Sequence, residues 1–220
     1  MAEAVEGFMR AVGEPVVATA SGGVDVERRV ASGEVLDLVV LAQGALVRLV
    51  RGQLVDAATV TGVVTSAIGL AVPTGQTAPP IQDEAEVRAA FEAAARIGYS
   101  TGPSGDHLLA LLARWGWDET KRRRLVQAPP GVPVARLVAD RQVDLGLQQL
   151  SELRGIQGMT LLGPLPAAIQ QETVFVAAVC CSSTKPAQAR RLLRWLADDA
   201  LAGLKLAHGL QPVKAASRGP

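Results

Sequence analysis

Short apolar runs alternate along the chain with segments whose apolar residues recur every three or four positions. That pattern predicts strands alternating with amphipathic helices. Ala4, Val5, Phe8, Met9 and Val12 trace one helical face, and Pro15–Ala20 reads as a strand followed by the turn Ser21-Gly22-Gly23. Val24–Ser32 reads as a helix stopped by Gly33, Asp37–Leu41 as a strand apolar on both faces, and Ala45–Arg51 as a short helix. Further on, Val87, Ala90, Phe91 and Ala94 mark a helix and Ile97–Ser100 a strand. Leu108, Leu111, Leu112 and Trp115 form the cleanest helical stripe. Arg124–Gln127, Val143–Leu147 and Met159–Leu162 read as strands, with a helix at Val134–Val138. Pro186 opens a helix as a first-turn proline, and Asp199–Ala207 reads as one more.

The alternation predicts an α/β protein with mostly parallel sheets. Two apolar runs exceed the others in length, Val63–Val72 and Thr173–Cys181. If both cross between lobes, residues 75–172 form one lobe and residues 1–72 with 173–213 the other, leaving 214–220 as a frayed tail.

Composition narrows the function classes. The chain has 220 residues, 49% of them hydrophobic, and a formal net charge of +1 with 3% aromatics. That balance provides neither the field nor the stacking platform of a nucleic-acid binder. The basic run Lys121-Arg122-Arg123-Arg124 reads as a solvated helix end. No apolar run approaches the ~18–20 residues that span a bilayer, so no direct membrane insertion is expected. Glu3 and Glu6 stand where a signal peptide would be basic and then apolar. The expected location is the cytoplasm for the chain as it stands, or the periplasm if an upstream signal has been removed. Cys180 and Cys181 are adjacent, point to opposite faces of a strand and are poorly placed to pair. With His107 and His208 the only histidines, no metal site and no cofactor are implied.

Three turns between a strand and a helix concentrate candidate chemistry. They are Ser21-Gly22-Gly23, Thr101-Gly102-Pro103-Ser104-Gly105 and Gln148-Gln149-Leu150-Ser151-Glu152. In a parallel sheet such turns lie at the carboxyl ends of strands, where ligands bind. Ser and Gly there leave backbone N–H groups free for an anion, or serve only as caps and tight turns. The candidate ligand-binding residues are Ser21, Gly22, Ser104, Gly105, Gln148, Gln149 and Ser151, with Arg28 as a possible carboxylate clamp or a solvent-facing charge. Asp106, in the first turn after Ser104, opposes an anion unless it points away. If there is catalysis, His107 and Glu152 are the candidate acid/base groups, each with an ordinary structural reading beside it. No Walker A, GxGxxG, HExxH or GxSxG motif is present.

At these turns the sequence resembles the molybdate-binding-protein-like family of bacterial extracellular solute-binding proteins. The stretches that carry the resemblance are Ser21-Gly22-Gly23-Val24, Val30 to Leu41, Pro103-Ser104-Gly105 and Gly209-Leu210-Gln211-Pro212. Leu145-Gly146-Leu147-Gln148-Gln149-Leu150-Ser151-Glu152-Leu153, Gly163-Pro164-Leu165-Pro166 and Gln170 resemble a branch with GxQQxSEL and GPLP motifs. The branch is distantly similar to aconitate isomerase. The resemblance implies a two-lobed, periplasmic-binding-protein-like (type II) fold that binds a small oxyanion or carboxylate in an interlobe cleft. An ABC permease is the implied partner of a periplasmic form. The alternative it implies is an isomerase or tautomerase of small carboxylic acids. Family members begin with a strand and a Ser-rich turn, whereas this sequence starts in the helix that follows, so the first strand is expected to be missing. The oxyanion-reading Tyr of molybdate binders is replaced near Gln148.

Overall fold

The computed structural model describes residues 1–129 and 131–213. The expected frayed tail, 214–220, lies outside the described residues. In chain order the elements are α1 (Ala2–Val12), α2 (Gly23–Ala31), β1 (Leu38–Ala42), α3 (Gln43–Arg51), β2 (Thr61–Ser66), β3 (Ile68–Pro73), α4 (Glu84–Ala93) and β4 (Ile97–Tyr99). They continue as α5 (Pro103–Arg114), α6 (Glu119–Arg122), β5 (Leu125–Gln127), α7 (Val134–Ala139), β6 (Leu145–Gln149) and α8 (Leu150–Leu153). The last are β7 (Met159–Pro164), β8 (Thr173–Val179), α9 (Pro186–Ala197), α10 (Ala202–Ala207) and β9 (Leu210–Pro212). The chain divides into two compact units, Met1–Thr65 with the segment from Val174, and Ser66–Thr173.

The first unit is built on a four-stranded sheet in the order β1-β8-β2-β9. Strand β8 alternates its faces. Val176 and Ala178 join Val30, Val39, Leu41, Leu46 and Leu49 beneath α2 and α3, while Ala177 joins Ala4, Val63, Val64, Leu193 and Leu196 beneath α1 and α9. Phe8 meets Trp195 edge-on with ring centroids 6.1 Å apart. The Trp195 indole N–H donates to the Ala4 carbonyl at 2.8 Å, tying α9 to α1.

The second unit is built on a five-stranded sheet in the order β5-β4-β6-β3-β7. Ile68, Leu70, Val72, Leu145 and Leu147 face α4 and α5, packing on Phe91, Leu108, Leu111 and Leu112. The opposite face packs on α7 and α8 through Ala71, Val134, Leu137, Val138 and Leu153. Gly146 lies on that second face. A Cβ there would come within 2.4 Å of Val138 Cγ2, so the glycine lets α7 lie against the strand. The basic run behaves as a helix end: Lys121 pairs with Glu92 at 2.7 Å, and the Arg124 guanidinium stacks 4.4 Å from the Trp117 ring centre.

The α/β class holds, with mixed rather than mostly parallel sheets. Strands β4–β5 and β4–β6 are parallel, but β3 runs antiparallel to both β6 and β7, and β1 runs antiparallel to β8. The apolar run Val63–Val72 is two strands, not one. It breaks at Ala67, where the chain leaves the first sheet for the second. Strand β1 is a sheet edge with alternating burial, not a strand buried on both faces. Pro15–Ala20 forms no strand, and Val17 is 94% exposed. Its β-branched residues favour a ladder only where a neighbouring strand offers one, and β1 takes its pairing from β8. Strand β6 runs through Gln149, so Gln148 and Gln149 belong to the strand and not to the turn after it.

Candidate functional site

The parallel pairing of β4 with β6 sets Tyr99 beside Leu147. The same register carried two residues further brings Thr101 level with Gln149. Helix α5 starts from that point. Its N-cap, Gly102, has φ 100°, a left-handed conformation that favours glycine. Among the described residues no side chain caps this end, so the N–H groups of a 12-residue helix stay available at the carboxyl end of β4. Gly105 allows the close fit of helix to strand. A Cβ there would fall 1.9 Å from the Ser100 carbonyl oxygen. Ser104 is 2% exposed, and its hydroxyl lies 3.4 Å from that of Ser100. Asp106 is exposed, so its carboxylate does not occupy the buried first turn.

Gln149 lies on the face of β6 that α5 covers, two residues beyond Leu147 and directly across from Ile68 of β3. It is 3% exposed. Its Nε2 donates to the Thr173 hydroxyl at 2.7 Å, but its Oε1 is buried with no hydrogen-bond partner among the described residues. A buried amide oxygen left unpaired is costly. Rotating the amide would let the Thr173 hydroxyl donate to Oε1 and turn Nε2 to the open position, so this side chain can present either an acceptor or a donor.

Gln148 points to the opposite face of β6. Its Oε1 accepts the Val134 N–H at 2.8 Å, and its Nε2 donates to the Glu152 carboxylate. It therefore caps α7, and both ends of its amide are engaged. Burial raises the Glu152 carboxyl above its ordinary pKa, against the opposing effect of the Gln148 hydrogen bond. The residue as a whole is exposed, so the shift reflects the local surroundings of its carboxyl. Ser151 Oγ lies 3.2 Å from Ser66 Oγ. His107, on α5, has Nε2 2.7 Å from the Ile169 carbonyl, which fixes the proton on that nitrogen and anchors the ring.

The remaining candidates lie in the first unit. Gly22 is the N-cap of α2, and Ser21 is exposed and hydrogen-bonds to the Asp25 carboxylate. Arg28 pairs with the same carboxylate and holds the Asp25 pKa below its usual value. The structure thus brings Ser104, Gly105 and Gln149 to one end of the second sheet. It commits Gln148 and His107 to structural hydrogen bonds and leaves Arg28 in a surface ion pair. Ser100 and Thr173 were not singled out from the sequence. Ser100 carries a signal, a polar residue closing a strand just before a helix. Thr173 opens an apolar strand and carries none.

These features define a class: an α/β protein in which the uncapped start of a helix and buried polar side chains meet at the carboxyl end of parallel strands. The chain belongs to the bacterial extracellular solute-binding protein family, whose model matches residues 1–211. It is 32% identical over 193 residues to a Pseudomonas aconitate isomerase, a match covering 86% of this chain and 72% of that protein. Its fold matches the Azotobacter vinelandii periplasmic molybdate-binding protein with a TM-score of 0.78 at 17% identity, over 95% of this chain and 92% of the other. It also matches the substrate-binding domain of a molybdenum ABC transporter from Clostridium difficile with a TM-score of 0.71 at 14% identity, over 97% and 93%. Among the described residues no helix is long and apolar enough to cross a membrane.

Proposed function

We propose that this protein binds a small carboxylate or oxyanion at the N-terminus of α5, with Ser104, Ser100 and the backbone around Gly105 as donors and Gln149 as the buried reader. The observation that carries this reading is the Gln149 amide: 3% exposed, one end engaged and the other unpartnered beside the helix start. A ligand with an anionic group and a hydroxyl or acid proton supplies what both features lack. Under this reading Gln148 is a positioning residue and Arg28 takes no part. Delivery of the ligand to an ABC permease from the periplasm is the role that family membership supports.

The test is isothermal titration with molybdate, sulfate, phosphate and a panel of di- and tricarboxylates including cis- and trans-aconitate. One of these binds, and Gln149→Leu or Ser104→Ala raises its Kd about tenfold or more, as expected for losing a hydrogen bond to a charged group at ~1.5–3 kcal/mol. Unchanged affinity in both variants would remove the site from the proposal.

A second reading, a carboxylic-acid isomerase, draws on the likeness to aconitate isomerase and on the raised Glu152 carboxyl. Glu152 would take a proton from carbon beside a carboxylate and return it to the neighbouring allylic carbon. His107 is the weaker candidate because Nε2 is already spent on Ile169. Proton NMR of either aconitate isomer in deuterated buffer tests it. Interconversion that is lost in Glu152→Gln with binding retained supports the enzyme, and no interconversion in the wild type refutes it.

A further inference from the structure

The first unit has a polar hollow walled by the single turn Ala57–Thr59, the start of β2 and one face of α9. Its cavity volume is about 260 Å³, just under the range that holds drug-sized ligands. Most polar groups in its walls are already spent. Asp56 accepts the Arg190 guanidinium at 2.9 Å on one carboxylate oxygen and the Ala58 N–H at 3.1 Å on the other. The Thr59 hydroxyl donates to the Asp56 carbonyl at 2.7 Å, and the Thr61 hydroxyl donates to the Thr59 carbonyl at 2.9 Å. Arg194 is the exception. It lines the hollow one helical turn after Arg190 on α9. Among the described residues its guanidinium has no hydrogen-bond or ion-pair partner.

We propose that this hollow is a second ligand site, which takes a phosphomonoester with its phosphate group across Arg194 and Arg190 and its organic part against Ala58 and Leu193. With both hydroxyl protons and the Asp56 carboxylate engaged, the side chains of the walls offer a ligand only guanidinium donors. They therefore select an anion over a neutral polyol or a cation. Asp56 opposes an anion, but Arg190 balances that charge and leaves the charge of Arg194 in excess. Arg190 spends one N–H on Asp56 and has others to share. Two guanidinium forks a turn apart offer more donors than the two oxygens of one carboxylate accept. The three terminal oxygens of a phosphate ester, with a charge of about −1.5 to −2 at neutral pH, suit both forks at once.

Isothermal titration of the full chain with glycerol 3-phosphate at constant ionic strength tests the proposal. The ester binds, and Arg194→Ala raises its Kd about tenfold or more, as expected for losing charge-assisted hydrogen bonds. Arg194 is exposed, so that variant keeps the fold and the Tm of the parent. Ala58→Asp, which sets a second carboxylate in the wall, abolishes binding. Ser104→Ala and Gln149→Leu leave binding intact, which separates this site from the one at α5. Sulfate, a tetrahedral dianion with no organic part, binds more weakly than the ester. No binding of glycerol 3-phosphate, an unchanged Kd in Arg194→Ala, loss of binding in Ser104→Ala, or sulfate binding as tightly as the ester would each overturn it.

Discussion

The side-chain oxygen of Gln148 accepts the backbone N–H of Val134 at 2.8 Å, so a residue of β6 caps the helix that precedes it in the chain. Its neighbour Gln149 faces the other way and keeps an amide oxygen without a partner. Adjacent residues of one type therefore have separable roles. Gln148→Ala orphans the first N–H of α7 and costs about 1–2 kcal/mol of stability. Gln149→Leu removes an acceptor that is already unpaired and gives up only the hydrogen bond to the Thr173 hydroxyl, so it costs less. Urea unfolding of the two variants gives that order, and the reverse order would contradict the assignment of roles.

Gly105→Ala puts a methyl group where the Ser100 carbonyl oxygen now sits, 1.9 Å from the new Cβ. Backbone has to move, at a cost of about 1–3 kcal/mol or more. The start of α5 moves with it, so anion affinity falls together with Tm. Gly203→Ala, on α10, is the control, because a Cβ there meets nothing within 4 Å.

Glu152 gives a stability change with a definite sign. Its folded pKa lies above the reference 4.5 because burial disfavours the carboxylate. The folded state then holds this proton more tightly than the unfolded chain does, and stability falls as pH rises from about 4.5 through the folded pKa. Glu152→Gln removes that fall. Denaturation midpoints between pH 4 and pH 8, on the order of the span in which carboxylates titrate, should converge for the two proteins at the acid end. At neutral pH the variant should be the more stable.

The two thiols differ in reactivity. Cys180 is buried, and burial pushes its pKa up to about 11, whereas Cys181 is exposed. A thiolate reagent at pH near 8, below the ordinary ~8.5 of a free thiol, titrates one cysteine in the native protein and both in denaturant. Two fast equivalents in the native state would contradict the burial of Cys180.

Much of the fold was legible because its helices carry their own periodicity. Val87, Ala90 and Phe91 in α4 and Leu108, Leu111 and Leu112 in α5 are local signals that the core simply uses. Strand partnership was not legible. Ala67 looks like any other residue of an apolar run, and only the sheets on either side of it show that the chain passes from one sheet to the other there. Gln148 and Gln149 looked like the end of a strand because both are polar. Each is buried through a partner distant in the chain, Val134 for one and Thr173 for the other. The serine-glycine start of α5 was visible as a candidate. The fate of Arg28 was not, since a guanidinium suited to clamping a carboxylate ligand clamps the Asp25 carboxylate instead.

The position of β8 between β1 and β2 sets a schedule for biosynthesis. Leu38 pairs with Val179 and Ala42 with Phe175, so the first unit cannot close its sheet until the whole of the second has left the ribosome. Meanwhile β1 and β2 wait with open edges, the condition in which nascent chains are most exposed to wrong pairing. The second unit is continuous in the chain and meets no such delay. Its five strands are complete before the strand that finishes the first unit is made.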